Sequence, residues 1–200
     1  MSRSRVRENQ AATTRAAILD GSRRLFVDRG YFNTSIEDIV AESGVGTRGA
    51  LYHHFSSKTD LFEEVYCEVV AEFMAMSDAL IDDRGDHLDR LRHGLLGFLA
   101  GAANVAAVQR IILIDGPAVL GADRWRALQS RRGVDAISDQ LALAISDGAV
   151  AAQDVDVLAQ LLLAVIDEAA MLIAKSDDPV AARENVSAVV NSLISGLRVR

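Results

Sequence analysis

The sequence predicts an all-α fold, a compact three-helix unit at the N-terminal end followed by a larger helical bundle, on three observations. Apolar residues recur at intervals of three and four along most of the 200 residues. No segment alternates convincingly with period two, so no sheet is expected. The interruptions fall where Gly, Asp or Pro cluster, at 82–86, 115–117, 147–154 and 176–179.

A first helix is expected over 13–29, capped by Thr13 or Thr14, with Ile18, Leu25 and Phe26 on one face and Gly30 as its stop. Thr34 stands three residues before Glu37, the capping-box spacing, and opens a short helix with Ile36, Ile39 and Val40 on one side. Gly44 ends it. A third short helix over 47–55 buries Leu51 and Phe55 at i, i+4. Ser56 or Ser57 caps a fourth, whose Phe62, Val65, Val69, Phe73, Met76 and Leu80 share a side. Further helices are expected at 87–103, 105–115, 123–146, 154–174 and 179–198.

Half of the residues are hydrophobic and only two are Pro, which suits a packed chain rather than a disordered one. The single cysteine, Cys67, excludes an intrachain disulfide and is expected as a small apolar filler on a helix. The opening MSRSRVRENQ leads into no apolar segment, 95–108 is too short to span a bilayer, and Asp167 and Glu168 interrupt 161–174. A cytoplasmic protein with no membrane partner is expected.

The net charge of −7 is unevenly distributed. Residues 1–60 carry nine Lys/Arg against seven Asp/Glu, hence +2, and the remainder carries −9. Arg3, Arg5 and Arg7 form a basic arm. This asymmetry fits two tasks on one chain, divided into 1–57 and 58–200. A solvated terminus with incidental arginines accounts for the charge equally well.

Gly44, Gly46 and Gly49 stand at the G-x-G-x-x-G spacing of a dinucleotide-binding turn. That turn needs a strand before it and a βαβ unit around it, whereas the flanking periodicity here is helical. No cofactor is expected. Two short helices joined by a Gly-containing turn form a helix-turn-helix, whose second helix enters the DNA major groove.

Residues 30–62, GYFNTSIEDIVAESGVGTRGALYHHFSSKTDLF, resemble the DNA-binding segment of the tetracycline-repressor (TetR) family. The matching elements are Gly30-Tyr31, Thr34-Ser35-Ile36, Ile39-Val40, Gly44-Val45, Gly49-Ala50-Leu51-Tyr52, His54-Phe55 and Ser57-Lys58 through Leu61. The rest of the chain matches the family only in length and helical character. One departure stands out: the family has two residues between the Val and the Gly-Ala-Leu-Tyr run, and this chain has three, Gly46, Thr47 and Arg48. Either the turn is one residue longer or the recognition helix starts earlier.

With Leu51 and Phe55 facing the core, the groove is left to Thr47, Arg48, Tyr52 and His53. Arg48 can fork onto guanine O6 and N7, worth about 1–3 kcal/mol of discrimination, or contact phosphate. Thr47 is a candidate for a thymine methyl, a phosphate or a helix cap. Gly49 permits close backbone approach to DNA, or close helix packing. The resemblance implies a phosphate contact for Tyr52, and His53 is a further contact while His54 packs inward. Lys58 is expected to bind phosphate in the first turn of the fourth helix, Thr34 and Ser35 to cap and contact phosphate, and Gly46 to lie in the lengthened turn.

The resemblance implies that the body binds a small effector and forms a homodimer. The helix from 154 is apolar on two sides, which requires burial on both. Leu158, Leu162, Val165 and Ala169, with Val186, Val190, Leu193 and Leu197 of the last helix, are the expected dimer contacts, unless they complete an intrachain core. Candidate effector contacts are Phe98, Arg110, Asp115, Trp125 and Met171, around a largely apolar ligand. Gly97 and Gly101 read as a helix-packing pair. No metal or catalytic constellation emerges: the His pairs and Asp82, Asp83, Asp86 and Asp89 lack ligand spacing. The expected function is a repressor that binds a palindromic DNA operator as a homodimer and is released by a small molecule. A nucleotide-binding enzyme and a helical ligand-binding protein without DNA affinity are the alternatives.

Overall fold

The first helix begins earlier than the apolar pattern predicts. In the computed structural model, which describes residues 3–78 and 85–199, α1 (Arg3–Arg29) runs for 27 residues. Residues 3–12 contain no Gly or Pro, so nothing halts the helix. Thr13 is therefore not a cap; its hydroxyl donates back to the Asn9 carbonyl at 2.9 Å. The expected arm is a helical extension, and the side chains of Arg3, Arg5 and Arg7 lie outside the described residues. Gly30 ends the helix at φ +79°, its N–H donating to the Phe26 carbonyl.

The cap of α2 (Ile36–Ser43) is Ser35, one residue after the one predicted. Ser35 Oγ accepts from the Asp38 N–H at 3.1 Å, and the Ser35 N–H donates to Asp38 Oδ2 at 2.8 Å. This box uses Ser35 and Asp38 in place of Thr34 and Glu37. Thr34, 2% exposed, instead donates to the Gly30 carbonyl. α3 (Arg48–His54) follows, then α4 (Lys58–Asp78), with Ser57 Oγ accepting from the Asp60 N–H. Ile18, Phe26, Ile39, Leu51 and Phe62 are fully buried, so these four helices share one core, the head. The Met76 side chain, Leu80 and most of the expected break at 82–86 lie outside the described residues. Cys67 is exposed rather than a filler.

The body comprises α5 (His87–Asn104), a π-helix (Val108–Asp115), α6 (Gly116–Leu120), α7 (Ala122–Ser146), α8 (Val155–Ala174) and α9 (Pro179–Ser195). The chain bends by 97° between α5 and the segment that follows it. The predicted stop at 115–117 is not a break, because the π-helix runs directly into α6 with Pro117 in its first turn, where no N–H is needed. α8 is long and apolar enough to cross a membrane by length and composition, at a mean hydropathy of 2.0. Its Leu162, Ile166, Ala169, Ala170 and Ile173 are instead buried within the bundle.

α9 ends at Ser195, three residues short of the expectation, because residues beyond it fold back. Val150 and Arg198 form an isolated bridge, and Arg198 Nη2 donates to Asp86 Oδ1 at 3.1 Å. Asp86 also caps α5, accepting from the Asp89 N–H. Among the described residues there is no strand.

Gly101 of α5 packs where a Cβ would stand 2.1 Å from the Phe73 ring of α4, whereas a Cβ at Gly97 meets nothing among the described residues. Gly101→Ala is therefore expected to cost about 1–3 kcal/mol through overpacking. Gly97→Ala is expected to leave stability unchanged or raise it by up to about 1 kcal/mol; thermal melts of the two variants check the contrast. The Arg198 guanidinium holds the Asp86 carboxyl down at about 2. Its folded value lies below the unfolded one, so the stabilisation is complete above about pH 5 and lost as pH falls towards 2. Melting temperature measured from pH 5 to 2 should fall more steeply for the wild type than for Arg198→Ala.

Candidate nucleic-acid interface

α3 is held by two side chains, Leu51 and Phe55, both buried against the head. Its remaining surface faces solvent: Thr47, Arg48, Gly49, Tyr52 at 49% exposure, and His53. His54 is half-buried beside His53, with ring centroids 5.4 Å apart.

The additional residue of the turn is absorbed before α3 begins. The Thr47 N–H donates to the Val45 carbonyl at 3.0 Å, closing a three-residue turn with Gly46 at its centre, φ +78°. No atom of the described residues lies within 4 Å of a Cβ built at Gly46, so backbone conformation rather than space requires glycine there. Thr47 is then the N-cap, its Oγ1 accepting from the Ala50 N–H at 3.2 Å, and Arg48 is the first helical residue. At Gly49 a Cβ would have only Thr47 Oγ1 near it, at 3.8 Å, which removes the helix-packing explanation. The Arg48 guanidinium pairs with Glu37 of α2, with both side chains more than half exposed.

Two expected phosphate contacts are engaged inside the molecule. Thr34 is buried, as described, with its hydroxyl used. Lys58 Nζ donates to the Tyr31 carbonyl at 2.6 Å and lies 3.9 Å from the Tyr31 ring centroid. Burial pushes the Lys58 ammonium below its ordinary value, and the Asp115 and Asp38 carboxylates oppose that shift. Ser35 stays exposed, its hydroxyl 2.6 Å from Asp38 Oδ2.

The Gly30–Tyr31 corner is the point where head meets body. Asp115, 2% exposed at the end of the π-helix, accepts from the Tyr31 N–H at 2.8 Å and from Arg110 Nε at 3.1 Å. The Arg110 guanidinium lies so close over Gly30 that a Cβ there would stand 1.7 Å from Nη2. Tyr31 itself packs on Phe26 and Phe62, with centroids at 5.7 and 5.2 Å. Arg110 and Asp115, expected in the effector site, therefore belong to this junction. Sequence periodicity could not bring residues 80 positions apart together, and Tyr31 was missed for the same reason.

The body holds a cavity of about 160 Å³ between α4, α5, the π-helix, α7 and α8. Phe98 lines it, together with Phe73, Leu95, Ile112, Leu163 and Asp167. Trp125 and Met171 line a neighbouring open groove that shares Leu163 and Asp167. Trp125 is mainly a core residue, donating from Nε1 to the Ile112 carbonyl at 3.0 Å. Asp167 was overlooked as a site residue, although a carboxylate within an apolar helix signals one.

The expected dimer set divides. Leu162, Ala169 and Val190 are buried in the chain's own core, and Leu158, Val186 and Leu197 are partly buried against it. Val165 and Leu193 are exposed, in stripes with Val157, Leu161 and Leu172 of α8 and Val189 of α9. α8 is apolar on two sides, and its small Ala159, Ala169 and Ala170 lie on the inward one, where small side chains permit close approach.

Among the described residues no group of three His, Cys, Asp or Glu could hold a metal ion. Residues 18–65 match the family model of bacterial regulatory proteins, tetR family, and residues 88–197 match that of the tetracyclin repressor-like C-terminal domain. The HTH-type transcriptional regulator AcrR of Shigella flexneri is 45% identical over 62 residues, 31% of this chain and 28% of that protein. The HTH-type transcriptional repressor BepR of Brucella suis is 41% identical over 56 residues, 28% of this chain and 26% of that protein. The chain thus matches little more than a quarter of the length of these curated relatives. A TetR-family regulator from Pectobacterium atrosepticum, known from its crystal structure, is 33% identical and covers 100% of this chain and 99% of its own, at a TM-score of 0.84. The nucleotide-enzyme alternative falls with these matches. With both of its halves matched and the whole fold shared, the chain belongs to the TetR family of transcriptional regulators and is not an enzyme.

Proposed function

We propose that the chain is a homodimeric repressor that reads a palindromic operator through α3 and releases it when a largely apolar small molecule occupies the body cavity. The observation that carries this reading is the division of α3 into two buried anchors, Leu51 and Phe55, and an exposed polar face led by Arg48. Thr47, Arg48, Gly49, Tyr52, His53 and the exposed Ser35 form the DNA surface, with Gly46 shaping the turn behind it. Arg48 reaches a base or phosphate by leaving Glu37. Thr34 and Lys58 act from behind, fixing the corner that orients this surface.

The exposed stripes of α8 and α9 make the dimer contact, two helices from each subunit packing about a two-fold axis. Such a dimer presents its recognition helices to half-sites about 34–36 Å apart. Release follows the junction: an occupant pressing on Ile112 acts three residues from Asp115, which holds the Tyr31 N–H of the head. A change there alters the tilt of both heads and loses the spacing. The functional division runs through α4, whose Phe62 packs on Phe26, centroids 5.4 Å apart, and whose later turns line the cavity. The setting is the cytoplasm, where the operator is.

Gel shifts on the chain's own upstream region test this reading. Arg48→Ala is expected to weaken saturable operator binding about ten-fold or more, and Glu37→Gln to strengthen it by freeing Arg48 and removing a carboxylate facing phosphate. Absence of operator binding by the wild type would leave a ligand-binding helical protein. For the dimer, sedimentation of Leu161→Glu, which places a charge on a residue now 60% exposed, is expected to show monomers that no longer bind DNA, with unchanged helicity. A wild type that sediments as a monomer at micromolar concentration would refute the interface.

A further inference from the structure

Asp167 is out of place in its surroundings. It lies on the inner half of α8, the cavity beside it has walls of Val70, Phe73, Leu95, Phe98, Ile112 and Leu163, and its Oδ1 is buried with no hydrogen-bond partner among the described residues. The Tyr66 hydroxyl of α4 is buried in the same condition. Tyr66 is raised above its ordinary value first by burial and then by the Asp167 carboxylate, which puts the two groups within electrostatic reach. Gln140, another polar group of the wall, has its Oε1 3.3 Å from His87 Nδ1.

A buried carboxylate oxygen with no donor is costly unless something brings a donor or a positive charge. Burial alone pushes the Asp167 carboxyl up to about 6. Among the described residues, the charged and titratable groups around it are Tyr66 of α4, Arg90 of α5, which lines the cavity itself, Arg126 and Asp135 of α7, and Glu168 on its own helix. None of the basic ones offsets the effect of burial. No described residue supplies a compensating donor or cation, and a ligand can.

We propose that the cavity takes a small apolar amine, its protonated nitrogen paired with Asp167 and its hydrocarbon part filling the space between Phe73, Phe98, Ile112 and Leu163. This rests on the effector reading above and names the chemistry of that same site. A volume of about 160 Å³ is close to that of an apolar cavity that accepts one benzene ring, so the hydrocarbon part is about one ring with a short side chain. An acid of the same size would meet the Asp167 carboxylate. A neutral hydrocarbon would fill the space and leave Oδ1 unsatisfied. Of these three, the amine alone answers both features of the site. Its ring rests on Ile112, the cavity residue nearest in sequence to Asp115.

Calorimetric titration of the full chain with 2-phenylethylamine, propylbenzene and 3-phenylpropanoate tests the assignment, with operator gel shifts in parallel. The amine is expected to bind and the acid not to. Asp167→Asn should weaken amine binding about ten- to hundred-fold and leave propylbenzene binding unchanged, which also reports that the variant is folded and the cavity intact. Amine affinity should rise between pH 5 and 7, as Asp167 ionises, and level above. Amine binding unaffected by Asp167→Asn, propylbenzene binding the wild type as tightly as the amine, or no binding by the amine would each overturn the proposal. Operator binding by the ligand-free protein is independent of all three. Its loss would refute the repressor, while its persistence beside an inert amine would refute only this ligand class.

Discussion

Asp115, itself only 2% exposed, accepts at Oδ2 from the backbone of one half of the molecule and from Arg110 of the other, and the seating of the head on the body depends on it. The Tyr31 N–H belongs to a corner formed by Gly30, whose left-handed backbone turns the chain under the Arg110 guanidinium. Lys58 closes the other side of the corner, on the Tyr31 carbonyl and ring. A buried charged acceptor is strong when satisfied and costly when not, so the corner has one favoured geometry and little slack. The head is thus seated on the body by polar groups in addition to apolar packing.

This seating assigns a role to the π-helix. It carries Ile112 on the cavity wall and Asp115 at the corner within a single wide turn. π-helical turns are rare and tend to occur at functional sites. Here the irregular backbone lies between the space that could hold a ligand and the contact that positions the head. α8 completes the arrangement from the other side, with one apolar face in the core, one left outward, and Asp167 between them.

The helices were legible in the sequence wherever local chemistry decides. Gly30 and Gly44 stop their helices as their residue type requires, both with positive φ, and Leu51 and Phe55 anchor α3 as their spacing implies. The segment 30–62 was also enough to identify the family, since the helix-turn-helix is specified by consecutive residues. Where two chemically equivalent choices adjoin, the pattern could not decide: Ser35 caps α2 because Thr34 is drawn to the Gly30 carbonyl. The outward stripe of α8 was hidden because both of its faces are apolar. Asp115 and Arg110 were read as candidate effector contacts and instead meet at the Tyr31 corner, since nothing local connects residue 115 with residue 31. Asp167 was noticed only as an interruption of an apolar run, because its isolation exists only after α4, α5 and α7 have closed around it.

The Glu37–Arg48 pair has a consequence for how binding strength depends on the medium. An arginine that contacts phosphate normally displaces condensed counterions, and each such contact steepens the loss of affinity with added salt. Arg48 is already paired with a carboxylate on its own head, with both groups in solvent. Mobile ions screen that internal pair too. In the proposed operator complex, ionic strength therefore pulls both ways at this residue, loosening the intramolecular contact as it weakens the one to DNA. Counting the proposed ionic contacts from a salt titration would undercount them, because the protein carries its own competitor for Arg48.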